Sequence, residues 1–207
     1  MRIAAIIPVG TLEGAKTRLA GTLDAEERHD LAEGLLERTV ASALAVARLD
    51  DVLVVSPDPE VLTRAAEIGA RTLRQRTSGL NAGLSEARAD VVAGGADAVV
   101  VLPIDLPFVT AEAVSAVIEP LAEAEASATQ VVLVTDRHGT GTNALGLRPP
   151  EIIKFCFGPE SRRAHRVAAE TAGASYSEVG GALTVDLDTP EDLVFVESAG
   201  SERLGVG

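Results

Sequence analysis

Three aspartates carry the sharpest chemical signal in this 207-residue chain. Asp105 ends the run Val99-Val-Val-Leu-Pro-Ile-Asp-Leu-Pro107, and Asp186 and Asp188 lie in Thr184-Val-Asp-Leu-Asp-Thr-Pro-Glu-Asp-Leu193. Each segment passes from an apolar, β-like stretch into acid. Asp186 and Asp188 are two apart, so on an extended strand their side chains share a face. Carboxylates about 4 Å apart repel by roughly 1 kcal/mol in water and by several times that near a protein surface. Grouping them therefore calls for a cation. Mg²⁺ suits such a group, because it takes one or two carboxylates and completes its shell with water and substrate phosphates. The alternative is that Asp105 and Asp188 simply open turns before proline, ordinary chemistry for aspartate.

A second chemical group lies in the first loop, Pro8-Val-Gly-Thr-Leu-Glu-Gly-Ala-Lys-Thr-Arg-Leu-Ala20, which carries two glycines, Lys16 and Arg18. It has neither the Walker A spacing nor Gly-x-Gly-x-x-Gly, so neither a P-loop nor a dinucleotide fold is supported. The net charge is −13 and the only lysines are Lys16 and Lys154. A phosphate ligand would thus depend on a few placed cations, backbone amides and a metal. The same acidity argues against a nucleic-acid surface, which needs a basic stripe to displace counterions, and the scarcity of aromatics removes base-stacking platforms. One cysteine, Cys156, excludes an internal disulfide and a cysteine-based zinc site, and is expected as a small buried hydrophobe. Histidines 29, 138 and 165 are too scattered to suggest a zinc site or a triad.

The elements that must position these groups alternate along the chain. Strands are expected at Arg2–Val9, Asp51–Ser56, Arg71–Arg74, Ala98–Leu102, Gln130–Thr135, Ala144–Leu147, Ser175–Val179 and Leu183–Leu187. Asp24-x-x-Glu27 is a capping box opening a helix through Leu31, Leu35, Leu36, Val40 and Leu44. Further helices are expected at about Pro59 to a Gly69 stop, Leu80–Ala93, Ala111–Glu125, Glu160–Thr171 and Pro190–Val196. Strand and helix in this order give an α/β fold, a mostly parallel sheet covered by helices on both faces. The apolar runs are too short to span a bilayer, and Met1-Arg2-Ile3 leads straight into a strand, so a cytoplasmic protein without membrane partners is expected. Residues 1–197 are expected to form a single domain and residues 198–207 a flexible tail.

Six motifs, in order, resemble the phospholactate guanylyltransferase family: Ala15-Lys-Thr-Arg-Leu19, Ser78-Gly-Leu-Asn81, Leu102-Pro-Ile-Asp-Leu-Pro107, Gly139-Thr-Gly-Thr-Asn-Ala-Leu145, Phe157-Gly-Pro-Glu-Ser161 with His165, and Asp186-Leu-Asp-Thr-Pro-Glu-Asp-Leu193. The resemblance spans about Ile3 to Phe195. It implies a Rossmann-like nucleotidyltransferase of the glycosyltransferase-A type. The implied reaction moves GMP from GTP to the phosphate of 2-phospho-L-lactate or phosphoenolpyruvate, releasing pyrophosphate, in the biosynthesis of coenzyme F-420. By motif, Pro8, Lys16, Arg18, Gly79 and Asn81 would bind the nucleotide, with Lys16, Arg18 and Asp105 acting in catalysis. Asp105, Asp186 and Asp188 would hold Mg²⁺, and Thr142, Gly158 and Ser161 would bind the acceptor. Gly10 stands where relatives often carry lysine, and Ile104 where they usually carry alanine; the first departure throws more weight onto Lys16 and the metal. A homodimer is among the expected assemblies.

Elementary chemistry agrees with that implication. Both substrates are anionic, so they can approach only where cations neutralise the developing charge. A glycine turn followed by a helix start, as at Gly158, offers free amides to an anion. Ser161 can add a hydroxyl, and His165, one helical turn on, could reach the acceptor. The rival readings are a transferase acting on molybdopterin or a sugar phosphate, disfavoured by the short loops after Asp105, and a non-catalytic nucleotide-binding module, disfavoured by the presence of all three aspartates.

Overall fold

The computed structural model describes residues 1–203 other than Glu13 and Ala126. In chain order the elements are β1 (Ile3–Pro8), α1 (Ala25–Leu44), β2 (Asp51–Ser56), α2 (Pro59–Ile68), β3 (Arg71–Arg74), α3 (Leu80–Ala93), β4 (Ala98–Val101), α4 (Ala111–Glu123), β5 (Gln130–Val134), β6 (Ala144–Arg148), α5 (Ser161–Thr171), β7 (Ser175–Glu178) and α6 (Pro190–Arg203). They build one 7-stranded sheet in the order β3-β2-β1-β4-β6-β5-β7. Every pairing is parallel except those of β6, which runs antiparallel to both β4 and β5. The expected mostly parallel α/β sheet is what forms.

Strands buried on both faces need near-continuous apolar runs, which is why β1 and β4 show no polar alternation. Along β1, Ile3, Ala5 and Ile7 enter one core with Leu36 and Val40 of α1, Val61 of α2 and Ile118 of α4. Ala4 and Ile6 enter a second core with Leu84 and Val91 of α3 and Ala169 of α5. Each fully buried leucine or isoleucine contributes about 1.5–3 kcal/mol. Local signals set the helix starts. Glu27 N–H donates to Asp24 Oδ1 at 2.9 Å and Asp24 N–H to Glu27 Oε2 at 2.8 Å, so the capping box at α1 forms as its sequence predicts. Asp58 caps α2 ahead of Pro59, and Gly69, at φ 111°, ends it.

Two expectations differ from the structure. Leu183–Leu187 forms no strand. Gly181, at φ 111°, leads into a 3-10 turn over Ala182–Thr184, Leu183 packs into the first core, and the chain then crosses the sheet's edge, where the Leu187 N–H donates to the Asp105 carbonyl at 2.9 Å. That contact replaces a strand ladder. The last helix, expected to stop near Val196, continues to Arg203, and residues 204–207 lie outside the described residues. No helix among the described residues is long and apolar enough to cross a membrane.

The carboxyl ends of β1, β4, β5 and β7 and the start of antiparallel β6 open onto one edge of the sheet. Ligands of open α/β sheets bind at such an edge, where the loops gather.

Candidate active site

At this edge the loop after β1 is pinned to the end of β2. Val9 N–H donates to the Val55 carbonyl at 3.0 Å, and Ser56 Oγ donates to the Gly10 carbonyl at 3.3 Å. The loop then brings Lys16 into a left-handed conformation, φ 52°, uncommon for a residue with a side chain and characteristic of functional loops. Its ammonium is nearly enclosed. It donates to the Leu187 carbonyl at 2.7 Å and to Asp188 Oδ1 at 3.0 Å. Arg18 reaches the same carboxylate, 3.8 Å from Oδ2, but its side chain is 74% exposed, so this pair contributes little to stability and leaves the guanidinium available.

The three aspartates converge electrostatically. Asp105 keeps part of its surface open, yet desolvation pushes its carboxyl up to about 6; Lys16 opposes the shift, and Asp188 and Asp186 add to it. Burial also raises Asp186, against the stabilising amide of Asn143 and with repulsion from Asp188 and Asp192. Among the described residues no three such side chains close into a metal cluster by themselves. The donor set still fits Mg²⁺, which needs only one or two carboxylates when phosphates complete the shell. Raised carboxyls beside a lysine are a group short of positive charge.

Pro8, Lys16, Leu80, Asp105 and Asp188 line one cleft of about 420 Å³. Gly79 and Asn81, assigned to the nucleotide by motif, flank Leu80 at the start of α3. Gly79 sits at φ 93°, and a Cβ there would meet nothing within 4 Å, so glycine is required for its backbone angle and not for room. The Asn81 amide is tied to a second segment of the chain. Its Nδ2 donates to the Phe157 carbonyl at 2.9 Å and its Oδ1 accepts the Phe157 N–H at 2.9 Å, so the amide clasps the loop that leads into Gly158. A larger cleft, about 670 Å³, lies at the opposite end of the sheet beside Met1, Asp97 and Arg148, away from the converging aspartates.

The expected acceptor residues form a connected network. Asp136 accepts the backbone N–H groups of Thr140 and Gly141 at 2.8 and 2.9 Å and shapes the loop leading to Thr142. The Arg162 N–H reaches back to the Thr140 carbonyl at 3.1 Å. Gly158 and Glu160 both adopt positive φ, 133° and 56°, in a turn closed by Ser161 N–H to the Gly158 carbonyl at 3.2 Å. Ser161 begins α5 and is buried. The next residue in the loop, Asn143, joins the two halves: its Nδ2 donates to the Leu183 carbonyl at 3.0 Å and lies 3.5 Å from Asp186 Oδ1. Cys156, expected in the core, is partly exposed on the loop before Gly158.

A model of the family described as "Guanylyl transferase CofC like" matches residues 3–204. The chain belongs to that family. It is 42% identical over 201 residues to a protein of Rubrobacter xylanophilus named phosphoenolpyruvate guanylyltransferase, covering 97% of this chain and 96% of that one. It is 35% identical over 195 residues to the 2-phospho-L-lactate guanylyltransferase of Methanothermobacter thermautotrophicus, covering 93% and 83%. Among solved structures, a nucleotidyl transferase from Methanothermobacter thermautotrophicus matches with a TM-score of 0.70 at 15% identity, over 98% of this chain and 99% of that one. This last likeness concerns the fold, and agrees with the expected Rossmann-like nucleotidyltransferase architecture.

In this CofC-like guanylyl transferase, two supporting residues escape a reading by motif. Asp192, buried, accepts the N–H of Asp188 at 3.0 Å and of Thr189 at 2.8 Å, and pairs with Arg137 at 2.5 Å. Burial raises its carboxyl, but those donated bonds outweigh it and leave the carboxyl low. It thereby fixes the turn that presents Asp188. The signal was available: Thr189-Pro-Glu-Asp192 is a capping box, completed by Asp192 N–H to Thr189 Oγ1 at 3.3 Å. The second is His165, whose sequence position is compatible equally with a reach to the acceptor and with a surface or capping role. Both of its nitrogens are taken by the protein.

Proposed function

We propose that this family member transfers GMP from GTP to the phosphate of phosphoenolpyruvate and releases pyrophosphate, the step of coenzyme F-420 biosynthesis that its motifs imply. The observation that carries this reading is the convergence of Asp105 and Asp188 on the Lys16 ammonium at one cleft, with Asp186 adding its charge to Asp105 and tied through Asn143 to the loop that carries Thr142. An acceptor phosphate oxygen attacks the α-phosphorus, the bond from that phosphorus to the bridging oxygen breaks, and pyrophosphate leaves with the electron pair. The acceptor phosphate is largely ionised near neutral pH, so no protein base is required, and positioning with charge neutralisation does most of the work.

Lys16 has one N–H left after Leu187 and Asp188, and this proton, with the exposed Arg18 guanidinium, is available to phosphate oxygens. Asp105, Asp186 and Asp188 would hold Mg²⁺, which when bound supplies a counter-charge to the phosphates. The amides at Gly158 and the hydroxyls of Thr142 and Ser161 would orient the small acid. Phosphoenolpyruvate is preferred to 2-phospho-L-lactate because the relative named for it is the more similar of the two described.

The test mixes purified protein, Mg²⁺ and GTP with each acid separately, then with both in competition, following pyrophosphate release and separating products by mass. Release with phosphoenolpyruvate is expected. Exclusive formation of the lactyl product would overturn the acceptor, and no release with either acid would overturn the guanylyl transfer itself.

A further inference from the structure

His165 is fully buried, and both ring nitrogens are occupied. The backbone N–H of Cys156 points at Nε2, 2.9 Å away, and Thr142 Oγ1 lies 3.0 Å from Nδ1. A backbone amide can only donate, so Nε2 must carry a lone pair, and the ring's proton must sit on Nδ1. Nδ1–H then donates to Thr142 Oγ1. The hydroxyl, having accepted there, has its own hydrogen left to give. No other polar atom of the described residues hydrogen-bonds that hydroxyl, whose loop is joined to the start of α5 by the Arg162 N–H at the Thr140 carbonyl, 3.1 Å.

We infer that His165 is a positioning residue for the transfer reaction: a neutral, Nδ1-protonated imidazole that fills one lone pair of the Thr142 hydroxyl and turns its hydrogen outward, free to donate to an anionic group of the acceptor. The inference rests on the acceptor reading above. The surroundings favour it. Burial holds the ring neutral, with its pKa lowered to about 4, and the Phe157 ring packs edge-on at 5.1 Å between centroids, fixing the imidazole plane. An imidazolium would set two N–H groups against each other at Cys156. A free threonine hydroxyl rotates; one held by Nδ1–H has its hydrogen turned away from the ring and available to a carboxylate or phosphate oxygen. The same bond to Cys156 N–H holds the loop before Gly158, so one ring sets two parts of the acceptor wall.

The tautomer is read directly by ¹⁵N NMR of the full chain labelled at histidine, which needs no variant and no activity. A protonated Nδ1 with an unprotonated Nε2 is expected; an Nε2–H tautomer would overturn the inference. The functional arm uses two amides that each keep one half of the ring. His165→Asn places an amide donor near the Nδ1 position, and His165→Gln places its amide near Nε2. His165→Gln should raise the acceptor KM about tenfold, the value of one lost hydrogen bond to a charged group, with GTP affinity changed less than about twofold. His165→Asn should recover most of the loss, and adding Thr142→Val to His165→Gln should raise the acceptor KM little further. Equal acceptor KM in wild type and His165→Gln, or fully additive Thr142 and His165 effects, would overturn the positioning role. An inactive wild type with the expected tautomer would instead defeat the proposed reaction and leave the His165 geometry standing.

Discussion

Lys16 Nζ lies 3.0 Å from Asp188 Oδ1, although the two residues are 172 apart in the sequence. The only ammonium in the first loop is therefore held by the acidic group it neighbours, and also donates to the Leu187 carbonyl. Lys16 offsets part of the repulsion among the aspartates while the cleft holds no substrate, and it opposes the rise of Asp105.

Replacing this lysine should loosen both the nucleotide and the acidic group. For Lys16→Ala, the GTP Kd by isothermal titration should rise about tenfold or more, the effect of one charge-assisted hydrogen bond. Acceptor KM should move less. Unchanged GTP affinity would mean that Arg18 and backbone amides suffice for the triphosphate.

Asp105→Asn should lower turnover at least about 100-fold, since even partners one shell removed from a metal cost 10–100-fold when lost. The fold should persist, because the backbone carbonyl, not the side chain, holds Leu187. Pyrophosphate release beside a thermal melt checks both points. Near-wild-type turnover at low Mg²⁺ would take Asp105 out of the site.

The Asp105 carboxyl sits at about 6 against an ordinary 3.8, with burial the largest cause. Folding thus favours its protonated form. That contribution is fully present below about pH 3.8 and is lost as the pH rises through about 6. In metal-free protein, the melting temperature of wild type relative to Asp105→Asn should fall across this window. A difference that stays constant from about pH 4 to about pH 7 would refute the shift.

Asn81→Asp keeps an acceptor for the Phe157 N–H but turns a carboxylate oxygen toward the Phe157 carbonyl. Losing that bond and opposing two acceptors should cost about 1–3 kcal/mol. The loss should show as a higher acceptor KM with GTP affinity nearly unchanged. A selective loss of GTP affinity would instead support the nucleotide role that its motif implies.

Much of this protein is set by short-range pattern. The apolar runs of β1 and β4, the Asp24–Glu27 capping box and the Gly69 stop specify their elements because each depends on atoms within a turn or a pleat of the residue concerned. The same reading picks out Asp105, Asp186 and Asp188, which follow apolar stretches, and Lys16, one of two lysines in the chain. Only the tertiary structure decides what each side chain touches. Leu183–Leu187 has strand-like residues but finds no neighbour to ladder with, and its amide goes to Asp105 instead. The motif around Asn81 gives no hint that its amide clasps Phe157, 76 residues away. The spacing of His165 on α5 leaves open whether it reaches substrate or the surface, and chain closure decides by placing Cys156 N–H and Thr142 Oγ1 on its two nitrogens. A hydrogen-bonding group is taken by whichever partner packing brings within about 3 Å, and sequence spacing does not encode that distance.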